Sequence, residues 1–145
     1  MQKKIVVVDI DGTVSKVGDR LKYLQQEKKD WDSFYEHCDE DEPIDDMCQL
    51  VADLFVLGND IVFCTGRRNG VRQKTEEWLD ENIGVDYELL MRKDGDWRHD
   101  TEVKPELLAN YTPDDVYLIL EDRDSMVAKW RELGYRCLQV NNGNF

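Results

Sequence analysis

The sequence predicts an α/β fold in which a central parallel sheet is covered by helices on both faces. Short, uninterrupted apolar runs alternate along the chain with longer stretches in which apolar residues recur at helical spacing. Continuous apolar strands are typical of a parallel sheet that is buried on both sides. The length of 145 residues suits one domain, since a domain commonly holds roughly 100–200 residues. We therefore expect a single domain over residues 1–145.

Five apolar runs are predicted to be strands. They cover residues 5–9, 60–64, 87–91, 116–120 and 136–140, of which the fourth (VYLIL) is a strong strand and the third is weaker. Crossovers between parallel strands are right-handed, and ligands bind beyond the carboxyl ends of such strands. The residues that directly follow each strand are therefore the first place to look for a functional site.

The stretches between these strands are predicted to be helices. Apolar residues share one face over residues 44–55, 71–79 and 126–133, and a glycine ends each helix at or near position 58, 84 or 134. A further short helix is predicted to open at Lys104-Pro105, because proline suits the first position of a helix.

Residues 14–42 do not fit this alternation. A loop between a strand and a helix needs only a few residues, whereas this segment contains several large apolar side chains and then the acidic run 39–42. We expect a small helical cap, inserted over the strand ends. Two roles stay open for it: a partial lid that shapes substrate access, or a surface element with its own small cluster.

The charge balance excludes one class of partner. The chain has 19 Lys and Arg against 32 Asp and Glu, a net charge of −13. Such a charge repels phosphate polymers at long range, so a long nucleic-acid groove is not expected. A small phosphorylated group or a strand end at one site remains compatible, because a divalent cation reverses the local field.

Membrane and disulfide signals are weak in this sequence. No run approaches the ~18 apolar residues of a membrane span, and the apolar start is too short for a signal peptide. The four cysteines form no CxxC pair and only two histidines accompany them, which argues against structural zinc and a disulfide framework. We expect a cytoplasmic protein with no membrane partner.

Two pairs of acidic residues directly follow predicted strands. Asp9 and Asp11 belong to the run DIDGT after the first strand, and Glu121 and Asp122 follow the fourth. Both pairs point to the same edge of the sheet. Two carboxylates ~4 Å apart repel by about 4 kcal/mol at an effective dielectric near 20. A hard, oxygen-seeking cation such as Mg²⁺ relieves that repulsion.

Complementary groups follow the other strands. Thr65, Gly66 and Arg67 come after the second strand, where a hydroxyl, a glycine and free amides can hold a phosphoryl oxygen. Arg67 is also the first of four basic residues in the stretch 66–74, which contains no acid. Lys104 stands at the predicted start of a helix, where a lysine taken alone is usually a surface residue.

In chain order the groups are an acid pair, a hydroxyl-Gly-Arg run, a lysine and a second acid pair. This set resembles the four motifs of the haloacid dehalogenase superfamily of phosphohydrolases over nearly the whole chain. It is more closely similar to the 3′-phosphatase domain of phage polynucleotide kinase–phosphatase. There, as with Arg92 and Asp100 here, an arginine and an aspartate stand twelve and four residues before the motif lysine. The final stretch LEDRDSMVAKWRELGYRCLQVNNGNF follows the same pattern.

The resemblance implies a three-layer Rossmann-like fold with a central parallel sheet and a small helical cap insertion. The sequence has no G-x-x-x-x-G-K-[ST] run, so the kinase half of the fused enzyme is not expected. The chain resembles a stand-alone phosphatase domain.

The resemblance also implies a Mg²⁺-dependent phosphatase that acts through an aspartyl-phosphate. Asp9 is the implied nucleophile, and Asp11 is the implied general acid and then general base. The implied ligands of Mg²⁺ are the Asp9 carboxylate, the Asp11 backbone carbonyl and Asp122, with Glu121 acting through water.

Substrate contacts follow from the same likeness. Thr65 and Lys104 are implied to bind the transferring phosphoryl oxygens, and Lys104 is implied to pair with Asp9. Asp100 is expected to hold Lys104 or an arginine in place. The further candidates for phosphate contact or for orienting the acids are Gly66, Arg67, Arg92 and Arg123.

The implied substrate is a phosphorylated nucleotide or nucleic-acid end, most directly its 3′-phosphate. A 5′-nucleotidase or small-metabolite phosphatase would use the same residues and remains an alternative. A non-catalytic binding domain on the same fold is disfavoured because Asp9 and Asp11 are both present. A calcium loop is disfavoured because the other ligands of its 12-residue pattern are missing. No protein partner is inferable from the sequence.

Overall fold

The computed structural model describes residues 4–145. The strands are β1 (Ile5–Val8), β2 (Ser15–Lys16), β3 (Glu42–Pro43), β4 (Asp60–Arg68), β5 (Glu88–Arg92), β6 (Val116–Glu121) and β7 (Cys137–Gln139). Five of them form one sheet in the order β5-β4-β1-β6-β7. All neighbouring pairs in that sheet are parallel, which confirms the predicted parallel sheet and places β1 at its centre.

Helices cover the sheet on both faces. They are α1 (Trp31–Glu36), α2 (Asp45–Val56), α3 (Arg72–Asn82), α4 (Asp100–Leu107) and α5 (Asp124–Glu132). Val6 and Val8 of β1 pack in one cluster with residues of α2 and α3. Val7 points the other way and packs in a second cluster with residues of α5. Because alternate residues of a strand face opposite sides, this gives the predicted three-layer arrangement.

The elements differ from the predicted bounds in two places that affect the site. The strand predicted over 60–64 runs on to Arg68, so Thr65, Gly66 and Arg67 lie in β4 rather than in a free loop. The pairing of β4 with β5 shifts register between Thr65 and Arg68. Arg68 pairs with Arg92 beyond this irregularity, so the segment stays within the sheet.

The helix predicted to open at Lys104-Pro105 begins earlier, at Asp100. His99 caps it by accepting a hydrogen bond from the Thr101 amide at 3.2 Å. Pro105 therefore lies inside α4, where it removes only the one hydrogen bond that its own amide would donate. The earlier start puts Lys104 in the last turn of the helix, one face of which packs on the sheet.

The segment between β1 and α2 consists of several short elements, two of which are strands. Ser15–Lys16 pairs with Glu42–Pro43 as an antiparallel ribbon. Between the two ribbon strands lie 3₁₀ turns over Asp19–Tyr23 and Cys38–Glu40, and the helix α1. The ribbon brings the two ends of the insertion together beside Asp11, which forms a bridge with Ser15.

Two further sequence observations can be compared with the structure. All four cysteines are buried and free, which agrees with the expectation that the chain has no disulfide framework. Over residues 4–145, none of the helices combines the length and the apolar character that crossing a membrane requires.

Candidate active site

Three carboxylates meet at the carboxyl ends of the two central strands. Asp9 follows β1, Glu121 ends β6, and Asp122 comes next in the chain. The two strands are neighbours, and the Asp9 amide donates a hydrogen bond to the Leu120 carbonyl at 3.0 Å. The three side chains are buried, and one carboxylate oxygen from each lies within 4.8 Å of the other two. The parallel sheet thus brings together residues more than a hundred positions apart.

Lys104 is the cation in contact with this acid cluster (Asp9, Glu121 and Asp122). From α4, its ammonium donates to Asp9 Oδ1 at 2.8 Å and to Glu121 Oε2 at 2.9 Å. Burial opposes the charged form of Lys104, but the two carboxylates outweigh burial and raise its pKa well above the usual value. The Thr13 hydroxyl donates to the other Asp9 oxygen, Oδ2, at 3.0 Å. Both oxygens of Asp9 are therefore held in fixed directions.

The acid cluster has more negative charge than Lys104 can neutralise. Burial, together with the neighbouring charge of Asp9, raises the pKa of both Glu121 and Asp122 above the usual range of a carboxyl group. Three converging carboxylates in a buried position are oxygen ligands of the kind that hard divalent cations prefer. Gly12 leaves room for this arrangement, because a Cβ there would lie 2.0 Å from Asp122 Oδ2. The donor set fits Mg²⁺.

Asp11 lies in a separate, arginine-rich environment. Its Oδ1 accepts hydrogen bonds from Arg20 Nη2 at 2.5 Å and from Arg67 Nη2 at 2.7 Å. Burial opposes ionisation of Asp11, but Arg67 and Arg20 together hold its pKa far below the usual value. Asp11 is therefore an ionised carboxylate beside the acid cluster.

Arg20 is the main residue of this site that the sequence analysis missed. It is 3% exposed, and its guanidinium bridges Asp11 to Asp41, with Nε 2.9 Å from Asp41 Oδ1. It also stacks 4.3 Å from the centre of the Phe34 ring. No local spacing indicates a buried arginine there. The only signal was indirect: an insertion placed over the strand ends has to contain polar residues that face the site.

Thr65, Gly66 and Arg67 lie beside Asp9 on the neighbouring strand. Thr65 is buried, and its hydroxyl accepts a hydrogen bond from the Arg67 amide at 3.1 Å. Gly66 packs against α4, since a Cβ there would lie 2.5 Å from Asp100 Oδ1. The Arg67 side chain is fully buried and also donates to the Thr75 hydroxyl at 3.1 Å.

Arg92 and Arg123 converge on Asp100. Arg92 Nη2 donates to Asp100 Oδ1 at 2.6 Å, and Arg123 Nη1 donates to Oδ2 at 3.2 Å. Burial opposes the charge on Asp100, but Lys104 and the two arginines lower its pKa below the usual value. The two arginines are thus committed to one carboxylate.

The basic stretch over residues 66–74 is neutralised by the fold. Each of its four basic residues has an acidic partner: Arg67 with Asp11, Arg68 with Asp32, Arg72 with Glu76, and Lys74 with Glu36. Asp32 and Glu36 both lie in α1, which is part of the insertion. The stretch therefore joins the insertion to the sheet.

Comparison with protein families gives a match over almost the entire chain. The family described as the polynucleotide kinase PNKP phosphatase domain matches residues 3–145. A chain of a Pnkp1/Rnl/Hen1 complex is 31% identical, with a TM-score of 0.82 over 99% of this chain and 47% of its own length. A chain of the Pnkp1/Rnl/Hen1 RNA repair complex is 30% identical, with a TM-score of 0.81 over 98% of this chain and 44% of its own. The chain spans a little under half of either relative.

More distant structures share the fold alone. The L-2-haloacid dehalogenase from Xanthobacter autotrophicus has a TM-score of 0.63 and 16% identity over 96% of this chain and 78% of its own. This similarity agrees with the three-layer fold expected from the resemblance to the haloacid dehalogenase superfamily.

Proposed function

The chain belongs to the family of the polynucleotide kinase PNKP phosphatase domain, and from that premise we propose that it is a Mg²⁺-dependent phosphatase acting on the 3′-phosphate of a nucleic-acid end or nucleotide. The observation that carries the proposal is the acid cluster of Asp9, Glu121 and Asp122, two of whose carboxylates bind the Lys104 ammonium. This is the arrangement that phosphoryl transfer needs, since that reaction depends mainly on positioning and on stabilising charge.

Asp9 is the proposed nucleophile. One of its oxygens forms a bond to phosphorus while the bond from phosphorus to the leaving oxygen breaks, giving an aspartyl-phosphate. Lys104 and Thr13 each bind one Asp9 oxygen, so the carboxylate is held in a defined orientation before the substrate arrives. Such preorganisation reduces the reorganisation that the reaction requires.

Asp9, Asp122 and the backbone carbonyl of Asp11 would hold Mg²⁺, with Glu121 acting through water. When bound, the ion supplies positive charge for the transferring phosphoryl group. Lys104 remains in contact with Asp9 and Glu121, so we propose that it also neutralises phosphoryl oxygens from the side of α4. The buried Thr65 hydroxyl is the second proposed phosphoryl contact, next to Gly66.

Asp11 is the proposed acid and base. Its low pKa, caused by Arg67 and Arg20, suits the second step, in which a carboxylate takes a proton from the attacking water. Protonation of the leaving oxygen in the first step requires Asp11 to carry a proton. A substrate phosphate dianion near Asp11 adds negative charge, which raises the pKa of Asp11. Substrate binding itself thus prepares the acid.

The remaining arginines are proposed to position these groups. Arg67 orients Asp11, and it is fully buried. Arg92 and Arg123 hold Asp100, which packs against Gly66 and so fixes the end of β4. The sequence left two roles open for these three arginines, contact with phosphate or orientation of the acids. Their contacts favour orientation of the acids.

The substrate class rests on the family and on charge. A net charge of −13 disfavours contact with a long phosphate backbone, which leaves the terminal nucleotide as the recognised part. One relative belongs to a complex that is named for RNA repair. RNA ends are accordingly the first substrates to test beside DNA ends.

The test is phosphate release from a matched set of substrates. The set holds a 3′-phosphorylated RNA and DNA oligonucleotide, a nucleoside 3′-monophosphate and a nucleoside 5′-monophosphate, each with Mg²⁺ and with excess chelator. We expect the 3′-phosphates to be preferred and the chelator to stop turnover. A clear preference for the 5′-monophosphate would overturn the proposed substrate and identify the protein as a 5′-nucleotidase with the same catalytic residues. Full activity in chelator would overturn the metal role.

A further inference from the structure

A continuous stack of aromatic rings and one guanidinium group lies beside the site. The Trp31 and Tyr35 rings are stacked, with centroids 6.0 Å apart and planes at 25°. The Arg68 guanidinium lies 5.0 Å from the Tyr35 centroid and 4.0 Å from the Trp97 centroid. Arg68 is thus in stacking contact with both Tyr35 and Trp97. We refer to these four residues as the aromatic rim.

The aromatic rim borders the catalytic groups. Arg68 directly follows Arg67, which binds Asp11. Trp97 lies in the loop before Asp100. The Tyr35 ring lies 5.3 Å from the Phe34 ring, which in turn contacts the Arg20 guanidinium that binds Asp11. The rim therefore lies next to the residues that hold Asp11 and next to the loop that leads to Asp100.

Trp97 is both exposed and fixed. Its side chain is 67% exposed, yet the backbone on each side is held by Arg92, whose Nη1 donates to the Asp96 carbonyl at 2.9 Å and to the Arg98 carbonyl at 2.6 Å. Arg98 also pairs with Asp96 and Glu106. Binding of a ligand to the Trp97 ring costs little conformational entropy, because the loop that carries the ring is already ordered.

The chemistry of the rim selects a flat, aromatic ligand. Aromatic faces stack on nucleobases of any sequence. Arg68 already contacts the Tyr35 and Trp97 rings and also pairs with Asp32. In a chain with a charge of −13, stacking supplies affinity for a nucleotide without contact to further phosphates.

We propose that the aromatic rim is a stacking platform for the base of the nucleotide that carries the scissile phosphate. The inference rests on the proposed function and deepens it: the terminal base lies on Trp97 and its neighbours while the 3′-phosphate reaches Asp9. Specificity for nucleotides over other phosphomonoesters then comes from the rim, and the strand beyond the last nucleotides contributes little.

The kinetic test compares substrates that differ only in the base. They are a 3′-phosphorylated trinucleotide and the same trinucleotide with a tetrahydrofuran (abasic) sugar at its 3′ end. For the unaltered protein we expect kcat/KM to be roughly 10- to 100-fold higher with the base than without it. Trp97→Ala should abolish this preference by raising KM for the base-bearing substrate, while kcat/KM for the abasic substrate stays unchanged. Trp97→Phe should retain most of the preference. Tyr117→Ala, at an exposed ring (49%) in β6 away from the strand's carboxyl end, is the matched control.

A binding measurement separates this proposal from the proposed function. The Asp9→Asn variant, with and without Trp97→Ala, is titrated into two fluorescein-labelled 3′-phosphorylated trinucleotides, one with its terminal base and one abasic. Anisotropy measures binding. The platform is supported if Asp9→Asn binds the base-bearing form more tightly and Trp97→Ala abolishes this difference, even if no substrate is turned over. Turnover of 3′-phosphates with equal rates for base and abasic forms overturns the platform and leaves the phosphatase standing. Equal binding of the two forms by Asp9→Asn also overturns it.

Discussion

Lys104 lies 2.8 Å from Asp9, although 95 residues separate the two in the chain. Asp9 stands at the end of the central strand, and Lys104 reaches it from α4 on one face of the sheet. The same ammonium donates to Glu121. One cation is thus shared by two of the three carboxylates, and the site depends on α4 being correctly packed.

Removing that cation is expected to destabilise the protein. Lys104→Met leaves Asp9 and Glu121 buried without a counter-charge, and breaking a buried pair in this way costs about 3–5 kcal/mol. Denaturant unfolding without metal measures the loss in the free energy of unfolding, and added Mg²⁺ should restore part of it. Lys129→Met, at a partly exposed pair with Glu132, is the control. Equal stability of Lys104→Met and the unaltered protein would contradict the buried pair.

Asp9→Asn is expected to abolish phosphate release while the fold is retained. The single amide oxygen of asparagine still accepts a hydrogen bond from Lys104, and its NH₂ group donates to the Thr13 hydroxyl. Asparagine cannot, however, form the phosphorylated intermediate. Release of inorganic phosphate is measured with circular dichroism as the check on folding. Asp114→Asn changes an exposed aspartate and should have no effect. Retention of more than a small percentage of activity by Asp9→Asn would rule out this nucleophile.

Asp11→Asn should affect the two chemical steps differently. A good leaving group needs no proton, so attack on p-nitrophenyl phosphate continues, while hydrolysis of the intermediate loses its base. We expect a burst of about one equivalent of nitrophenolate, followed by slow turnover. With a 3′-phosphate the leaving oxygen needs the acid, and the loss should be roughly 10²- to 10⁴-fold without a burst.

Rapid-mixing absorbance measures the burst for Asp11→Asn. Asp114→Asn again serves as the control, and its steady-state rate should match that of the unaltered protein. Equal losses for the two kinds of substrate, with no burst, would mean that Asp11 positions the site and transfers no proton.

The sheet and most of the acid cluster could be predicted because they depend on local patterns. A continuous apolar run indicates a buried parallel strand, and the sheet topology then places whatever follows each strand at one edge. That reasoning places Asp9 beside Asp122, as the structure does. It needs no knowledge of side-chain packing.

The arginines could not be assigned in the same way because their partners are distant in the sequence. Arg20 meets Asp41 only because the β2–β3 ribbon closes the insertion. Arg92 was considered for phosphate contact, yet three of its hydrogen bonds go to backbone carbonyls, of Gly66, Asp96 and Arg98. The start of α4 was misplaced because Pro105 is a common first residue of helices, while the actual cap is His99.

Binding of Mg²⁺ is expected to release protons at pH 7. Burial and the nearby Asp9 charge raise the pKa of Glu121 and Asp122 in the metal-free protein, so protons compete with the ion for these carboxylates. Affinity for Mg²⁺ should therefore rise with pH through neutrality. The metal-free protein should lose stability over the same range, because the unfolded carboxyls ionise at far lower pH.

Calorimetry in buffers of different ionisation enthalpy counts the released protons, on the order of one per ion. Asp122→Asn should lower that number together with the affinity for Mg²⁺. Binding of Mg²⁺ that is independent of pH would contradict the raised pKa values.

Ca²⁺ should support turnover poorly, because it prefers more ligands and a looser geometry than Mg²⁺.

The C-terminal segment is expected to set the position of Asp122. Gly143 packs so closely on the backbone of that residue that a Cβ would lie 1.8 Å from the Asp122 carbonyl oxygen. Its own carbonyl accepts from the Asp124 amide at 2.7 Å. Gly143→Ala must therefore displace either the segment or Asp122. Because groups that orient a metal ligand typically contribute 10- to 100-fold to metal affinity, we expect roughly that loss for Mg²⁺. Gly18→Ala is the matched control, since a Cβ there comes no closer than 4.0 Å to a neighbour. Calorimetric titration with Mg²⁺ measures both variants, and unaltered affinity in Gly143→Ala would show that Asp122 is held without the segment.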